Sequence, residues 1–191
     1  MLGPDRLRLA QELEEYVRGA PGRRAVAEQL LGLLALPASP FARSHVEPGH
    51  FTASAFVLCP ARRRLLLIRH PKLGRWLQPG GHIEPSDVSL LAAARREVRE
   101  ETGVEPLEPL EPGIFDVDVH RIPPTAKEGA HAHFDVRYAF VAAREELTVS
   151  NEVKAARWVE LEAVAGLNDE ESIARPVLAL TSRLFSGRRA R

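Results

Sequence analysis

The chain has 191 residues, enough for one well-buried domain with extensions and cramped for two. Lysine plus arginine equals aspartate plus glutamate at 26 each, so no net basic field draws a polyanion, which argues against a duplex nucleic-acid binder. The single cysteine, Cys59, cannot form an internal disulfide; Asp5, Arg6 and Arg8 interrupt the N-terminal leucines, and no apolar run is long enough to span a bilayer, so the expectation is a cytoplasmic protein with no membrane partner.

In chain order, residues 5–36 show helical spacing twice, with Leu7, Ala10, Leu13 and Val17 before a Gly19-Ala20-Pro21-Gly22 break and Val26, Leu30, Leu33 and Leu34 after it. The pattern predicts a helical hairpin, which either packs on the flank of its own domain or serves as a dimerisation or partner-binding element. Residues 36–48 are rich in turn formers and read as a linker, so the expected division is an N-terminal helical extension at 1–40 and the main domain at 41–191. Phe51–Leu58 and Leu65–Arg69 read as two strands, joined by a solvated turn containing Arg62, Arg63 and Arg64. A Gly80-Gly81 turn follows, and then a helix capped by Ser89 and closed by Gly103.

That helix carries Glu97, Glu100 and Glu101 at spacings of three and four, which place all three carboxylates on one face. Like charges so arranged cost an isolated helix about 0.2–0.5 kcal/mol per pair, and a hard divalent cation that takes oxygen ligands is the natural compensation. Beyond it, Ile114–His120 and His131–Ala142 alternate as strands do. Asp116, Asp118 and His120 share one face of the first; His131, His133, Asp135 and Arg137 share one face of the second, opposite Phe134, Val136, Tyr138 and Phe140. Residues 121–130 form a long connection of the kind that binds or covers ligands. Ala155–Val159 gives one more strand, Ile173–Phe185 a closing helix, and Arg188–Arg191 a solubilising tail.

The run Arg96-Glu97-Val98-Arg99-Glu100-Glu101-Thr102-Gly103-Val104 resembles the second half of the signature of the Nudix hydrolases, G-x5-E-x7-R-E-U-x-E-E-x-G-U with U aliphatic. The likeness extends from about residue 50 to 165, through Trp76-Leu77-Gln78-Pro79-Gly80-Gly81-His82-Ile83-Glu84 and on to Arg157-Trp158-Val159. The first half departs from the pattern: counting from Gly81, the acidic position falls on Asp87, and the gap from Asp87 to Arg96 is one residue too long. A one-residue insertion ahead of Ser89 accounts for this. The resemblance implies an α/β/α sandwich with a mixed sheet, which the order of strands and helices also suits.

It further implies a hydrolase that cleaves a diphosphate linkage in a nucleoside diphosphate derivative or nucleoside triphosphate by attack of water on phosphorus. The matching Glu97, Glu100 and Glu101 would bind Mg²⁺ or Mn²⁺, Arg96 would orient a neighbouring glutamate, and the general base would lie on the signature helix or at Glu152 in a later loop. Gly80 and Gly81 would let the backbone approach metal and phosphate, with His82, His120, His131, His133, Asp135 and Arg137 facing a small phosphate-containing substrate. His131-x-His133-x-Asp135 also has the spacing to supply ligands to a second metal. Trp76 either stacks on a base or packs beneath the glycine turn. Two rival functions stand beside the hydrolase. One resembles isopentenyl-diphosphate isomerase, though no cysteine lies near Gln78-Pro79-Gly80 and Cys59 is a poor substitute; the other is a nucleotide-binding regulator that has lost hydrolysis.

Overall fold

The computed structural model describes residues 4–124 and 129–185; Thr125–Glu128 of the long connection and the Arg188–Arg191 tail lie outside them. Its elements are α1 (Arg6–Gly19), α2 (Arg24–Leu34), β1 (Gly49–Leu58), β2 (Arg64–Arg69), β3 (Trp76–Leu77), β4 (Gly80–His82), α3 (Leu90–Thr102), β5 (Leu107–Pro109), β6 (Asp116–Ile122), β7 (His131–Ala142), β8 (Ala156–Glu160) and α4 (Glu171–Phe185). Short 3₁₀ turns occupy Pro21–Arg23 and Leu161–Gly166. Each longer element predicted from the sequence is present within two residues of its expected start. The fold is of the α/β class with a mixed sheet and an N-terminal helical hairpin. Two compact units divide it: one holds the described residues up to 55 with 80–97 and 111–138, the other holds 56–79, 98–110 and those from 139 onward.

In the first unit the helical hairpin is closed by specific polar contacts. Asp5 caps α1 by accepting from the backbone N–H of Leu7 at 2.8 Å, and Arg6 donates to the carbonyls of Leu34 at 2.9 Å and Leu36 at 2.6 Å. Leu9, Leu13 and Val17 of α1 and Ala27, Leu30, Leu33 and Leu34 of α2 are buried. Arg23 donates to the Val117 carbonyl at 2.7 Å, and the Tyr16 hydroxyl to Asp116 at 3.3 Å, so the hairpin lies against β6 of its own chain. These residues pack the hairpin on its own domain, the first of the two uses the apolar spacing allows.

The same unit holds a strand set in the order β4, β1, β7, β6. Antiparallel pairing sets Thr52, Ala53 and Ser54 of β1 opposite His82, Gly81 and Gly80 of β4. On its other side β1 meets β7. The Ala132 N–H bonds to the Pro48 carbonyl, and Thr52 and Ser54 both reach Asp135, so both strands advance together and the pair is parallel. β6 and β7 are antiparallel over seven pairs, from Asp116↔Arg137 to Ile122↔His131. This register sets Asp116, Asp118 and His120 directly across from Arg137, Asp135 and His133, as the alternation predicted.

The exposure of that row is where expectation and structure part. A strand pair with one polar face was expected to show that face to a substrate, yet β7 is buried almost throughout and Arg137 is only 2 % exposed. Its guanidinium reaches Asp135 at 2.8 Å, Asp118 at 3.0 Å and Asp116 at 3.2 Å. Burial opposes the charge of Arg137, but Asp135, Asp118 and Asp116 outweigh it and hold the pKa above its ordinary value. Asp135 also accepts from Thr52 at 3.0 Å and Ser54 at 2.7 Å. The expected substrate contacts Asp135 and Arg137 are therefore committed to an internal lock that ties β1, β6 and β7 together, because a charge buried in a sheet must be paired where it stands.

In the second unit β2 is the centre. It pairs antiparallel with β8 from Arg64↔Glu160 to Ile68↔Ala156, with β3 at Ile68↔Leu77, and with the end of β1 at Leu58↔Leu65. Leu65, Leu66, Leu67 and Ile68 are buried, while Arg62 and Arg63 stay exposed in the preceding turn as expected. The Arg157 guanidinium lies 4.2 Å over the Trp76 ring, and the Trp76 carbonyl accepts from Asn168 at 3.0 Å. Trp76 is thus engaged by β8 and the segment before α4.

Replacing Arg137 by Met removes the guanidinium that reaches Asp116, Asp118 and Asp135 together, leaving only the more distant Arg23 at 4.0 Å from Asp118 among the described ion pairs of these carboxylates with arginine. The expected loss is about 3–5 kcal/mol, since breaking a buried ion pair from one side leaves the opposite charge uncompensated. Urea unfolding followed by circular dichroism measures it; a loss below about 1 kcal/mol would show that the row is not a lock.

Candidate functional site

The signature helix α3 begins as its sequence directs. The Ser89 hydroxyl accepts from the Ala92 N–H at 3.1 Å, and Leu90 is buried at the first helical position. It ends at Gly103, which adopts φ 69° and donates its N–H to the Arg99 carbonyl at 2.8 Å. Only glycine takes that left-handed conformation without strain. Ala93, Ala94 and Val98 are buried and form the helix's apolar side.

Within the first unit Arg96 gathers the residues around it. Its Nη1 donates to Glu97 Oε1 at 2.9 Å, its Nε to Asp87 Oδ1 at 3.1 Å, and its Nη2 to Asp87 Oδ2 at 3.0 Å and to the His82 carbonyl at 2.8 Å. Asp87 accepts in addition from the Glu84 N–H at 2.8 Å and is buried. The irregular loop ahead of α3 thus puts Asp87 in a definite place, as the bidentate partner of Arg96 rather than a free carboxylate. A planar guanidinium suits this arrangement; a lysine ammonium could not reach four acceptor atoms in one plane.

Gly81 is where β4 meets Glu97. A Cβ on this glycine would come within 2.6 Å of Glu97 Oε1, so the absence of a side chain is what lets the carboxylate lie against the strand. Glu97 is buried and Glu101 is buried, whereas the Glu100 side chain is 38 % exposed, with Arg99 Nη2 at 3.9 Å from its carboxylate. All three stand on the one continuous helix.

In the second unit the loop after β7 docks on the last turn of α3. The Thr148 N–H bonds to the Thr102 carbonyl at 2.8 Å and the Ser150 N–H to the Glu101 carbonyl at 3.2 Å, supplying partners to carbonyls that a helix end leaves open. Glu152 follows two residues later, exposed, with its N–H on Ser150 Oγ at 3.2 Å. The expected later-loop carboxylate therefore sits beside the C-terminal turn of the signature helix.

The histidines form a separate group. Ring centroids of His50 lie 5.1 Å from His82, 5.0 Å from His131 and 4.9 Å from His133, and His120 lies 5.4 Å from His133. Candidate ligand atoms of His50, His82 and His133 all fall within 4.8 Å of one another. This corrects the spacing argument for a second metal on His131, His133 and Asp135, because Asp135 is held by Thr52, Ser54 and Arg137. His50 was missed in the sequence because β1 was started at Phe51; begun at Gly49, the alternation His50, Thr52, Ser54 sets it on the polar face. Burial, and then the neighbouring His82, His120, His50 and His131, push the pKa of His133 down to about 2.

A model of the NUDIX domain matches residues 49–181. Among curated proteins none matches the chain. Solved structures with a similar fold include a NUDIX-family hydrolase of Clostridium perfringens, 24% identical, covering 69% of this chain and 96% of its own, with a TM-score of 0.53. An Ap4A hydrolase of C. elegans is 21% identical, over 72% of this chain and 98% of its own, with a TM-score of 0.52. The NUDIX domain of Shewanella oneidensis NrtR, complexed with ADP ribose, is 22% identical over 70% of this chain and 87% of its own, also with a TM-score of 0.52. At these identities the likeness is one of fold.

The depressed pKa of His133 sets a direction for acid sensitivity. Unfolded, the imidazole takes a proton near pH 6.5; folded, it stays neutral down to about 2, so stability is whole above pH 6.5 and falls as pH drops below it. The slope from this one group reaches about 1.4 kcal/mol per pH unit. Thermal melts of chelator-treated protein between pH 7.5 and 5 should show a decline that His133→Asn reduces; parallel profiles for the two proteins would contradict the assignment.

Proposed function

This chain belongs to the NUDIX family, its domain matching over residues 49–181, and its α3 carries the second half of the Nudix hydrolase signature; on that premise we propose that it cleaves a diphosphate linkage in a nucleoside diphosphate derivative or nucleoside triphosphate, with a divalent cation held by carboxylates of α3. The observation that carries this reading is the contact at Gly81, where a Cβ would collide with the Glu97 carboxylate that Arg96 holds.

The residues present suit Mg²⁺ or Mn²⁺. Glu97, Glu100 and Glu101 are hard oxygen donors at helical spacing, and Gly81 gives the first of them its place against β4. Bound there, such an ion supplies neutralisation of diphosphate charge and activation of water. The protein's own residues do the positioning. Arg96 fixes the direction of Glu97, and Asp87, buried and bidentate, fixes Arg96. Glu152, on the loop docked to the end of α3, is the proposed acceptor of the proton lost by the attacking water. On this reading the half-buried Gly80 and Gly81 let strand backbone come close to metal and phosphate, and His120, exposed on β6, contacts the substrate. A small phosphate-containing molecule is the partner this requires, and no described helix is long and apolar enough to cross a membrane.

The isomerase alternative lacks its reactive cysteine, since Cys59 is buried in the turn after β1 with the Arg64 N–H on its sulfur at 3.4 Å. A nucleotide-binding regulator on the same fold is the rival that experiment separates. Product release from a panel of nucleoside diphosphate derivatives and triphosphates with Mg²⁺ is expected for the wild type. Glu100→Gln should reduce it roughly 100-fold or more, equivalent to about 2.7 kcal/mol of transition-state stabilisation. Turnover by Glu100→Gln near the wild-type rate would overturn the carboxylate assignment, and nucleotide binding without any release would favour the regulator.

A further inference from the structure

We propose that His50, His82 and His133 form a second metal site, built of imidazole and suited to a borderline transition ion such as Zn²⁺, distinct from the carboxylate site on α3. Three strands converge to make it: β1 supplies His50, β4 His82 and β7 His133, with ligand atoms within 4.8 Å of one another. Zn–N bonds of about 2.0–2.1 Å in a tetrahedron imply nitrogen separations of about 3.4 Å. Small ring rotations therefore bring the three donors onto one ion, leaving a fourth position for water or an anionic oxygen.

The surroundings prepare these rings as ligands. His50 is 0 % exposed, and its Nδ1 faces the His45 carbonyl at 3.1 Å; a carbonyl only accepts, so the proton is on Nδ1 and the lone pair on Nε2. His131 Nδ1 likewise donates to the Gly129 carbonyl at 2.9 Å, which in the neutral ring leaves Nε2 to accept. It lies 3.3 Å from His133 Nε2, within reach of a hydrogen bond between the two rings. His131 is then a positioning residue that orients a ligand, the arrangement that metal-bound histidines adopt. The Arg96 bond to the His82 carbonyl holds the third strand in place. Neutral imidazoles are what a zinc site needs, and the environment of His133 disfavours its protonated form.

Strand alternation keeps this site apart from the carboxylates. His82 is directly opposite Thr52, whose side chain reaches Asp135 on the face of His133; Gly81, opposite Ala53, turns the other way, toward Glu97. The donor chemistry separates them too, because imidazole favours zinc and cobalt while carboxylate oxygen favours magnesium. The inference does not depend on the hydrolase reading.

Co²⁺ serves as the spectroscopic probe. Untagged full-length protein, stripped with chelator and desalted, is titrated with Co²⁺ in excess Mg²⁺, and intense visible bands saturating at one equivalent are expected. His133→Asn and His82→Asn should each weaken binding roughly 10–100-fold or more, while the Glu97→Gln, Glu100→Gln double variant keeps the bands. Should His133→Asn fail to fold by circular dichroism, half-buried His82 decides. Absence of bands in the wild type overturns the proposal. So do bands that persist in the folded histidine variants, or bands lost only in the glutamate variant.

Discussion

One guanidinium organises the signature region. Arg96 touches Glu97 of its own helix, Asp87 of the preceding loop and the backbone of His82 on β4, so helix, loop and strand are fixed relative to one another by a single planar group. At 12 % side-chain exposure it is poorly hydrated, and its charge must be answered by the carboxylates it meets. That requirement explains why Asp87 is buried despite the extra residue ahead of Ser89. The loop can absorb an insertion so long as a carboxylate still arrives at the fork. Gly81 is the complement of this arrangement, giving Glu97 the space into which Arg96 directs it.

The parts legible in the sequence were those set by local rules. Apolar spacing, Ser89 and Gly103 defined α3, and period-two alternation defined β6 and β7 with their partners in register. The short strands Trp76–Leu77 and Gly80–His82 were not foreseen, because two or three residues show no periodicity and exist only through pairing with β2 and β1. Nor could alternation tell a buried polar face from an open one. Arg137 sits on the predicted face, but whether it meets a phosphate or three aspartates depends on how deeply the sheet is covered. His50 was hidden by a strand start misplaced by two residues, and the role of Asp87, though its position was legible, by a gap that no pattern resolves.

The polar row of β1, β6 and β7 thus divides into two parts with different work. At one end Asp116, Asp118, Asp135 and Arg137 satisfy one another, with Thr52 and Ser54 adding hydrogen bonds to Asp135. Toward the other end the carboxylates give way to imidazoles, whose ring nitrogens can share a cation. A row that reads as uniform in sequence is structural at one end and, on the proposed reading, metal-binding at the other.

On the proposed reading Arg96 positions Glu97 for catalysis through its fork geometry rather than its charge. Steady-state kinetics of Arg96→Lys against wild type, on whichever substrate of the nucleotide panel turns over, tests it directly. Lysine keeps the charge and loses the simultaneous bonds to Glu97 and Asp87, so kcat should fall about 10–100-fold with KM little changed and the protein still cooperatively folded. An Arg96→Lys enzyme with wild-type kcat would contradict the account.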